Sequence, residues 1–70
     1  MEKSSVAQRI RAFRKLKGYT QNELAEMLGV SIAILGAIER GTRKPDTKII
    51  NKISQVLNIE PDELVAAIAR

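Results

Sequence analysis

The sequence predicts an all-α domain built from five short helices. Apolar residues recur at helical spacing along the chain, and no useful stretch shows the strict apolar–polar alternation of a half-buried strand. Pairs suited to helix starts, Ser5 with Gln8 and Thr20 with Glu23, precede two of the apolar stretches. Because 70 residues are enough for one domain with a small core, we expect residues 1–70 to form a single unit.

Start and stop signals place the five helices. A Ser, Thr or Asp precedes each of the first four, and a glycine follows each of the first three, where a left-handed residue commonly ends a helix. A proline suits the first turn of the fifth. The predicted helices cover approximately residues 5–17, 21–28, 32–40, 47–57 and 61–69.

The core is expected to be aliphatic, because Phe13 and Tyr19 are the only aromatic residues. The first helix carries an apolar stripe that ends at Phe13 and Leu16. We expect Phe13 and Met27 to be core residues and not parts of a ligand site.

Residue types that the chain lacks exclude several functions. There is no cysteine and no histidine, so disulfides, Cys/His zinc sites and the commonest general base are excluded. No glycine-rich phosphate loop is present, and dipole and cap roles account for the acidic residues Glu60, Asp62 and Glu63. We therefore expect no enzyme activity, no cofactor, no metal and no small-molecule ligand.

The sequence also indicates where in the cell the protein is located. No apolar run approaches the roughly 20 residues that cross a bilayer, and the chain starts with a charged segment. We expect a cytoplasmic protein without a membrane partner.

Positive charge is concentrated in two segments of this chain, whose net charge is +4. Residues 1–17 hold six basic residues and one acidic residue, and residues 42–55 hold four basic residues and one acidic residue. The segments between and after them are mildly acidic. Such a distribution suits a polyanion that is bound at two places.

Residues 20–41 carry the most specific signal. Gly29-Val30 separates two short predicted helices, and Ser31 can cap the second, so the turn is tight enough to make the helices cross steeply. This segment resembles the helix-turn-helix family of lambda repressor and Cro, also called the XRE or Cro/C1 type. The resemblance covers roughly residues 6–68. It is carried by Arg14, Gly18-Tyr19-Thr20-Gln21, Leu24-Ala25, Gly29-Val30-Ser31, Ile38-Glu39-Arg40-Gly41, Pro45, Leu57-Asn58-Ile59 and Glu63-Leu64.

The resemblance implies a five-helix lambda-repressor-like domain whose second and third helices bind double-stranded DNA, and hence a transcriptional regulator. By the same resemblance, Gln21 binds a backbone phosphate and supports the recognition helix. Thr20 and Arg40 are expected near phosphates, and Arg43 and Lys44 are expected to contact the strand beyond. The buried ion pair of the family maps to Arg14 and Glu39, where its role is structural.

The third helix departs from the family pattern. Members of the family carry polar side chains on its outward face, whereas this chain has none at the corresponding positions, Ile32, Ala33, Ile34, Gly36 and Ala37. Hydrogen bonds from these side chains to base edges are therefore impossible. Only Ser31 at the start and Arg40 at the end are polar.

Two interpretations follow. In the first, Ile32, Ile34 and Ala37 contact thymine methyl groups while basic residues bind phosphates. In the second, the third helix is an apolar docking surface for a second copy or another protein. The phosphate-facing positions are kept, which favours DNA binding. The candidate DNA contacts are Thr20, Gln21, Ser31, Ile32, Ala33, Ile34, Ala37, Arg40, Arg43 and Lys44.

We also expect a dimer on DNA, because the family binds two-fold sites. The last predicted helix, with Val65, Ile68 and Ala69, is the expected place for a weak interface.

Overall fold

The computed structural model describes residues 5–64, which contain helices and no strand. Four helices lie wholly within this range: α1 Val6–Leu16, α2 Gln21–Leu28, α3 Ile32–Arg40 and α4 Thr47–Leu57. Residues 61–64 are also helical, at the predicted start of the fifth helix. The rest of that prediction, with Val65, Ile68 and Ala69, lies outside the described residues. The all-α prediction is confirmed.

The helices begin at the predicted caps. Ser5 and Gln8 form a capping box at α1, and Thr20 and Glu23 form another at α2. At α4 the Asp46 side chain accepts a hydrogen bond of 2.8 Å from the Ile49 amide. These contacts satisfy amides that a helix leaves without partners in its first turn. Because the cap itself is extended, α1 begins one residue after the predicted start.

All four helices end in the same way. The chain turns through a left-handed residue at Gly18, Gly29, Gly41 and Asn58. The next amide then bonds back to a carbonyl in the last turn, in the pairs Tyr19–Arg14, Val30–Ala25, Thr42–Ala37 and Ile59–Ser54, with N···O distances of 2.9–3.1 Å. These are Schellman-type ends, which satisfy carbonyls that would otherwise lack donors.

The aliphatic core draws on every helix. α3 packs against α1 and α2, and α4 packs against α2 and α1. The largest fully buried side chains are Ile10, Leu24, Leu35, Ile38, Ile53, Leu57 and Leu64. Phe13 and Tyr19 are partly buried against this cluster. Since Leu64 is among the buried residues, the helical turn 61–64 is held to the rest of the domain.

Two predicted core residues lie at the surface instead. Leu16 is 76% exposed and Met27 is 39% exposed. A helix turns about 100° per residue, so Leu16 lies roughly 120° around α1 from the buried Ile10. By the same geometry Met27 lies about 60° from Leu24, on the side away from the other buried positions of α2. The prediction that Met27 belongs to the core was wrong.

Candidate nucleic-acid interface

A three-residue turn connects α2 to α3 and fixes how α3 is presented. Gly29 has φ of +74°, a left-handed conformation that favours glycine. Val30 packs partly buried against the core, and the Ser31 hydroxyl accepts a hydrogen bond of 3.1 Å from the Ile34 amide. The turn therefore anchors α3 at its first residue while leaving one side of that helix exposed.

A buried ion pair joins α1 to the inner side of α3. Arg14 Nε donates to Glu39 Oε2 at 2.7 Å, and Arg14 Nη2 donates to Glu39 Oε1 at 3.0 Å. Arg14 Nη1 also donates to the Tyr19 carbonyl at 2.9 Å. The bidentate geometry and the third bond satisfy much of the hydrogen-bonding capacity of two buried charges. These are the two residues that the family resemblance paired, and here they hold α3 against α1 and the α1–α2 loop.

Gln21 extends this network to the start of α2. Its side-chain Nε2 donates to Glu39 Oε1 at 3.1 Å, and the residue is half-buried. The sequence pattern did not indicate this contact, because its partners are 18 positions apart on different helices. The Gln21 side-chain amide is thus held by the same Glu39 carboxylate that holds α3.

The first turn of α2 has donors available for an anion. The amides of Gln21 and Asn22 have no hydrogen-bond acceptor within residues 5–64, whereas the Glu23 amide bonds to its cap, Thr20. Thr20 and Asn22 are exposed. Free amides at the positive end of a helix dipole favour a phosphate or another anion.

The outward face of α3 comprises Ala33, Ala37 and Arg40 along its side, Gly36 at the border with the buried side, and Ile32 at its amino-terminal end. Ile32 is 45% exposed, Ala33 and Arg40 are also exposed, and Ala37 is half-buried. This face is apolar except for the guanidinium at its end.

Ile34 does not belong to that face, contrary to the sequence-based expectation of an exposed Ile32–Ile34 pair. Ile34 is half-buried and packs against the core cluster. The two residues are two positions apart, and two helical steps of about 100° place them on opposite sides of α3. The exposed apolar surface of α3 is therefore smaller than the sequence suggested.

The α3–α4 loop holds two cations beside the end of α3. The amides of Thr42 and Arg43 donate to the Ala37 carbonyl at 3.0 and 3.2 Å, and the Thr42 hydroxyl donates to the same oxygen at 3.2 Å. The side chains of Arg43 and Lys44 are exposed. These bonds tie the loop that carries the two charges to the last turn of α3.

The amino-terminal basic segment contributes less free charge than its composition suggests. Arg14 is neutralised by Glu39 inside the fold. Arg9 is half-buried, and its Nη1 donates to the Glu63 carbonyl at 2.6 Å, which ties α1 to the helical turn 61–64. Arg11, Lys15 and Lys17 remain exposed.

Other kinds of site find no support in the part of the chain that the structure describes. Across residues 5–64 no group of three or more acidic side chains could hold a metal ion. None of the helices in that range combines the length and the apolar character that crossing a membrane requires.

A glycine turn, a buried Arg–Glu pair behind α3 and an exposed α3 beside a cationic loop define a helix-turn-helix protein. The chain belongs to the helix-turn-helix family, whose sequence model matches residues 10–64. It is 58% identical over 64 residues to YazB of Bacillus subtilis, an uncharacterised HTH-type transcriptional regulator, and the match covers 91% of this chain and 93% of YazB. It is 39% identical over 61 residues to the transcriptional regulator SinR of the same bacterium, covering 86% of this chain and 55% of SinR.

Solved structures agree with this assignment. The DNA-binding domain of the P22 c2 repressor has a TM-score of 0.87 at 32% identity, over 93% of this chain and 86% of that domain. SinR in complex with DNA has a TM-score of 0.80 at 39% identity, over 86% of this chain and 97% of the SinR chain. The resemblance to repressor-type helix-turn-helix proteins is confirmed, and the family is one of transcriptional regulators and not of enzymes.

Proposed function

We propose that this protein regulates transcription by binding double-stranded DNA, with the outward face of α3 in the major groove. The observation that carries the proposal is the uncovered outward face of α3, flanked by free amides of α2 and by the exposed cations of the α3–α4 loop. An α-helix with this exposure has the dimensions that the major groove admits. The similarity to SinR, whose structure was solved with DNA, supports the same function.

Phosphate binding is proposed for both flanks of α3. On one side, Thr20 and Gln21 lie at the start of α2, where the unpaired amides favour an anion. On the other side, Arg43 and Lys44 extend from a loop that is hydrogen-bonded to α3. Contacts of this kind supply affinity and fix the register of the helix, but they carry little sequence information.

Base contacts from α3 are proposed to be mainly apolar. Ile32, Ala33 and Ala37 can meet thymine methyl groups, and the Ser31 hydroxyl lies at the entry of the helix. Ile34 should contribute less to the base contacts than the sequence suggested, because it is packed against the core.

The protein-docking alternative is not favoured. Its basis was an exposed pair of isoleucines, and only Ile32 of that pair is substantially exposed.

We also propose that two copies of the protein bind DNA as a dimer, because members of the family bind two-fold symmetric sites. Sedimentation with and without DNA tests it, and a monomer in both conditions would contradict it. A regulator of this kind would act in the cytoplasm.

Salt-controlled DNA binding tests the proposed function. We expect wild-type protein to bind a DNA duplex, and the logarithm of its association constant should fall linearly with the logarithm of the salt concentration. Arg43→Ala and Lys44→Ala should each weaken binding to all sequences about equally and reduce the salt slope by about one unit. Fluorescence anisotropy over a series of salt concentrations measures both quantities.

Lys52→Ala is the matched control. Lys52 is exposed, like the loop cations, and its loss changes the net charge by the same amount, but it lies on α4 outside the proposed contacts. We expect this variant to keep the wild-type slope. Equal slopes for all three variants would show that net charge alone matters, and no binding by wild-type protein at low salt would refute DNA binding.

A further inference from the structure

The outward face of α3 contains a notch at Gly36 that is occupied by the side chain of Arg40. We propose that this notch makes Arg40 a guanine-contacting residue, held over the middle of α3, and not a phosphate contact at its end. The inference rests on the proposed DNA binding and adds the base that this α3 would select. It also revises the role that family resemblance gave to Arg40.

The geometry at Gly36 is specific to these two residues. A Cβ atom placed on Gly36 would lie 3.2 Å from Arg40 Nη1, closer than the ordinary contact range of 3.4–4 Å. Among residues 5–64, and apart from the two adjacent residues and the nearby backbone of α3, that Nη1 is the only atom within 4 Å. The guanidinium therefore lies back along α3, about one turn or 6 Å towards its amino-terminal end.

Burial along the same stripe of α3 agrees with this position. Positions 32, 36 and 40 are four apart and share one side of the helix. Ile32 and Arg40 are exposed, yet Gly36 between them is buried. A residue without a side chain is covered here by a neighbour on the surface, and Arg40 is the neighbour within contact distance.

The backbone does not require glycine at this position. Gly36 lies inside α3 and is not among the glycines with positive φ. Glycine in a helix interior is less stable than alanine by about 0.5–1 kcal/mol, so the fold would favour a larger residue. In the described part of the chain, the Arg40 side chain occupies the space that the glycine leaves, so the glycine permits this placement of the guanidinium.

The Arg40 guanidinium has donors available for a base. Within residues 5–64 it makes no hydrogen bond and no ion pair, in contrast to Arg14 and Arg9. A planar guanidinium presents paired N–H groups that match O6 and N7 of guanine in the major groove. The surrounding face offers no other side-chain donor between Ser31 and Arg40. This arrangement would therefore select one guanine, at Arg40, beside thymines that the apolar side chains contact.

Selection from a random DNA pool, at fixed salt, tests the assignment with a graded series at the notch. We expect wild-type protein to select a motif with one strongly preferred guanine per half-site. Gly36→Ala should reduce that preference about twofold to threefold, and Gly36→Leu about tenfold, because larger side chains displace the guanidinium further. Arg40→Lys should lose the guanine preference by about tenfold while keeping the salt slope, since the charge stays but the paired donors are lost.

Thermal unfolding separates this effect from damage to the fold. Gly36→Ala should raise Tm by roughly 2–8 °C, because alanine is the better helix residue. A Gly36→Ala variant with a higher Tm but a weaker guanine preference would show that the glycine serves DNA recognition and not stability. A fall in Tm would show that the position has no room for a side chain and would overturn the inference.

Arg43→Lys is the matched control at a proposed phosphate contact, and it should leave the selected motif unchanged. The inference is overturned if wild-type protein selects a motif without a preferred guanine, or if Gly36→Leu and Arg40→Lys retain it. Either result leaves DNA binding intact. If wild-type protein binds no DNA at low salt, the proposed function fails and the inference fails with it.

Discussion

The two faces of α3 are similar in composition but differ in what surrounds them. The inward face, with Leu35, Ile38 and Glu39, is buried against α1 and α2. The outward face is also mostly aliphatic, yet Ile32 is 45% exposed, and Ala33 and Arg40 are exposed as well. A hydrophobic stripe on a helix therefore does not identify the core side by itself. The side of α3 that carries the buried Glu39 carboxylate is the side that packs against the rest of the domain.

Glu39 gives the inward face its orientation. Its carboxylate bonds to Arg14 from α1 and to Gln21 from α2, so it can be satisfied in only one rotation of α3. A buried ion pair adds little net stability, because desolvation offsets the attraction, but leaving one partner unpaired is costly. The outward face has no comparable constraint, and this predicts different responses to substitution on the two sides.

The largest expected effect is at the ion pair. Glu39→Gln keeps the shape of the side chain but leaves the buried Arg14 charge without a counter-charge, which should cost about 3–5 kcal/mol of unfolding free energy. Small domains have only about 5–15 kcal/mol in total, so the variant should unfold at much lower urea concentration. Urea titration followed by circular dichroism measures this loss.

Arg14→Met combined with Glu39→Leu is the control for that loss. Removing both charges removes the uncompensated charge, so the double variant should be more stable than Glu39→Gln alone. A single variant with wild-type stability would contradict the view that the pair orients α3.

An intermediate effect is expected at Ile34, with Ile32 as its matched control. Both are isoleucines in the first turn of α3, but Ile34 packs against the core while Ile32 is on the outward face. Ile34→Ala should cost about 1–2 kcal/mol, because roughly half of a buried side chain's contribution is lost. Ile32→Ala should change stability by less than about 0.5 kcal/mol. Equal losses in thermal unfolding would contradict the division into two faces.

The smallest effect is expected at Leu16, an apolar residue that the periodic pattern assigned to the core of α1. Because it is 76% exposed, Leu16→Lys should change unfolding free energy by no more than about 0.5 kcal/mol. Ile10→Lys is the contrasting variant on the same helix, since it would put a charge into the fully buried core and prevent stable folding. A large loss for Leu16→Lys would show that α1 has a further packed side.

Local chemistry explains why the helices could be predicted from sequence. The capping boxes at Ser5 and Thr20 and the left-handed residue Gly29 act through hydrogen bonds that span five residues or fewer. The same local signals define the α2–α3 turn and hence the helix-turn-helix unit. The pairing of Arg14 with Glu39 could be expected only through the family resemblance, because its partners lie 25 positions apart.

The sequence by itself determined where the helices start and stop, since those contacts are made within one turn of chain. Only the tertiary structure decided which apolar residues are covered and which cations are free. It buried Ile34 beside the exposed Ile32 and placed the Arg40 guanidinium over Gly36. The reason is physical: burial and side-chain direction depend on which neighbouring helix or side chain occupies the adjacent space, and spacing along one helix does not specify that neighbour.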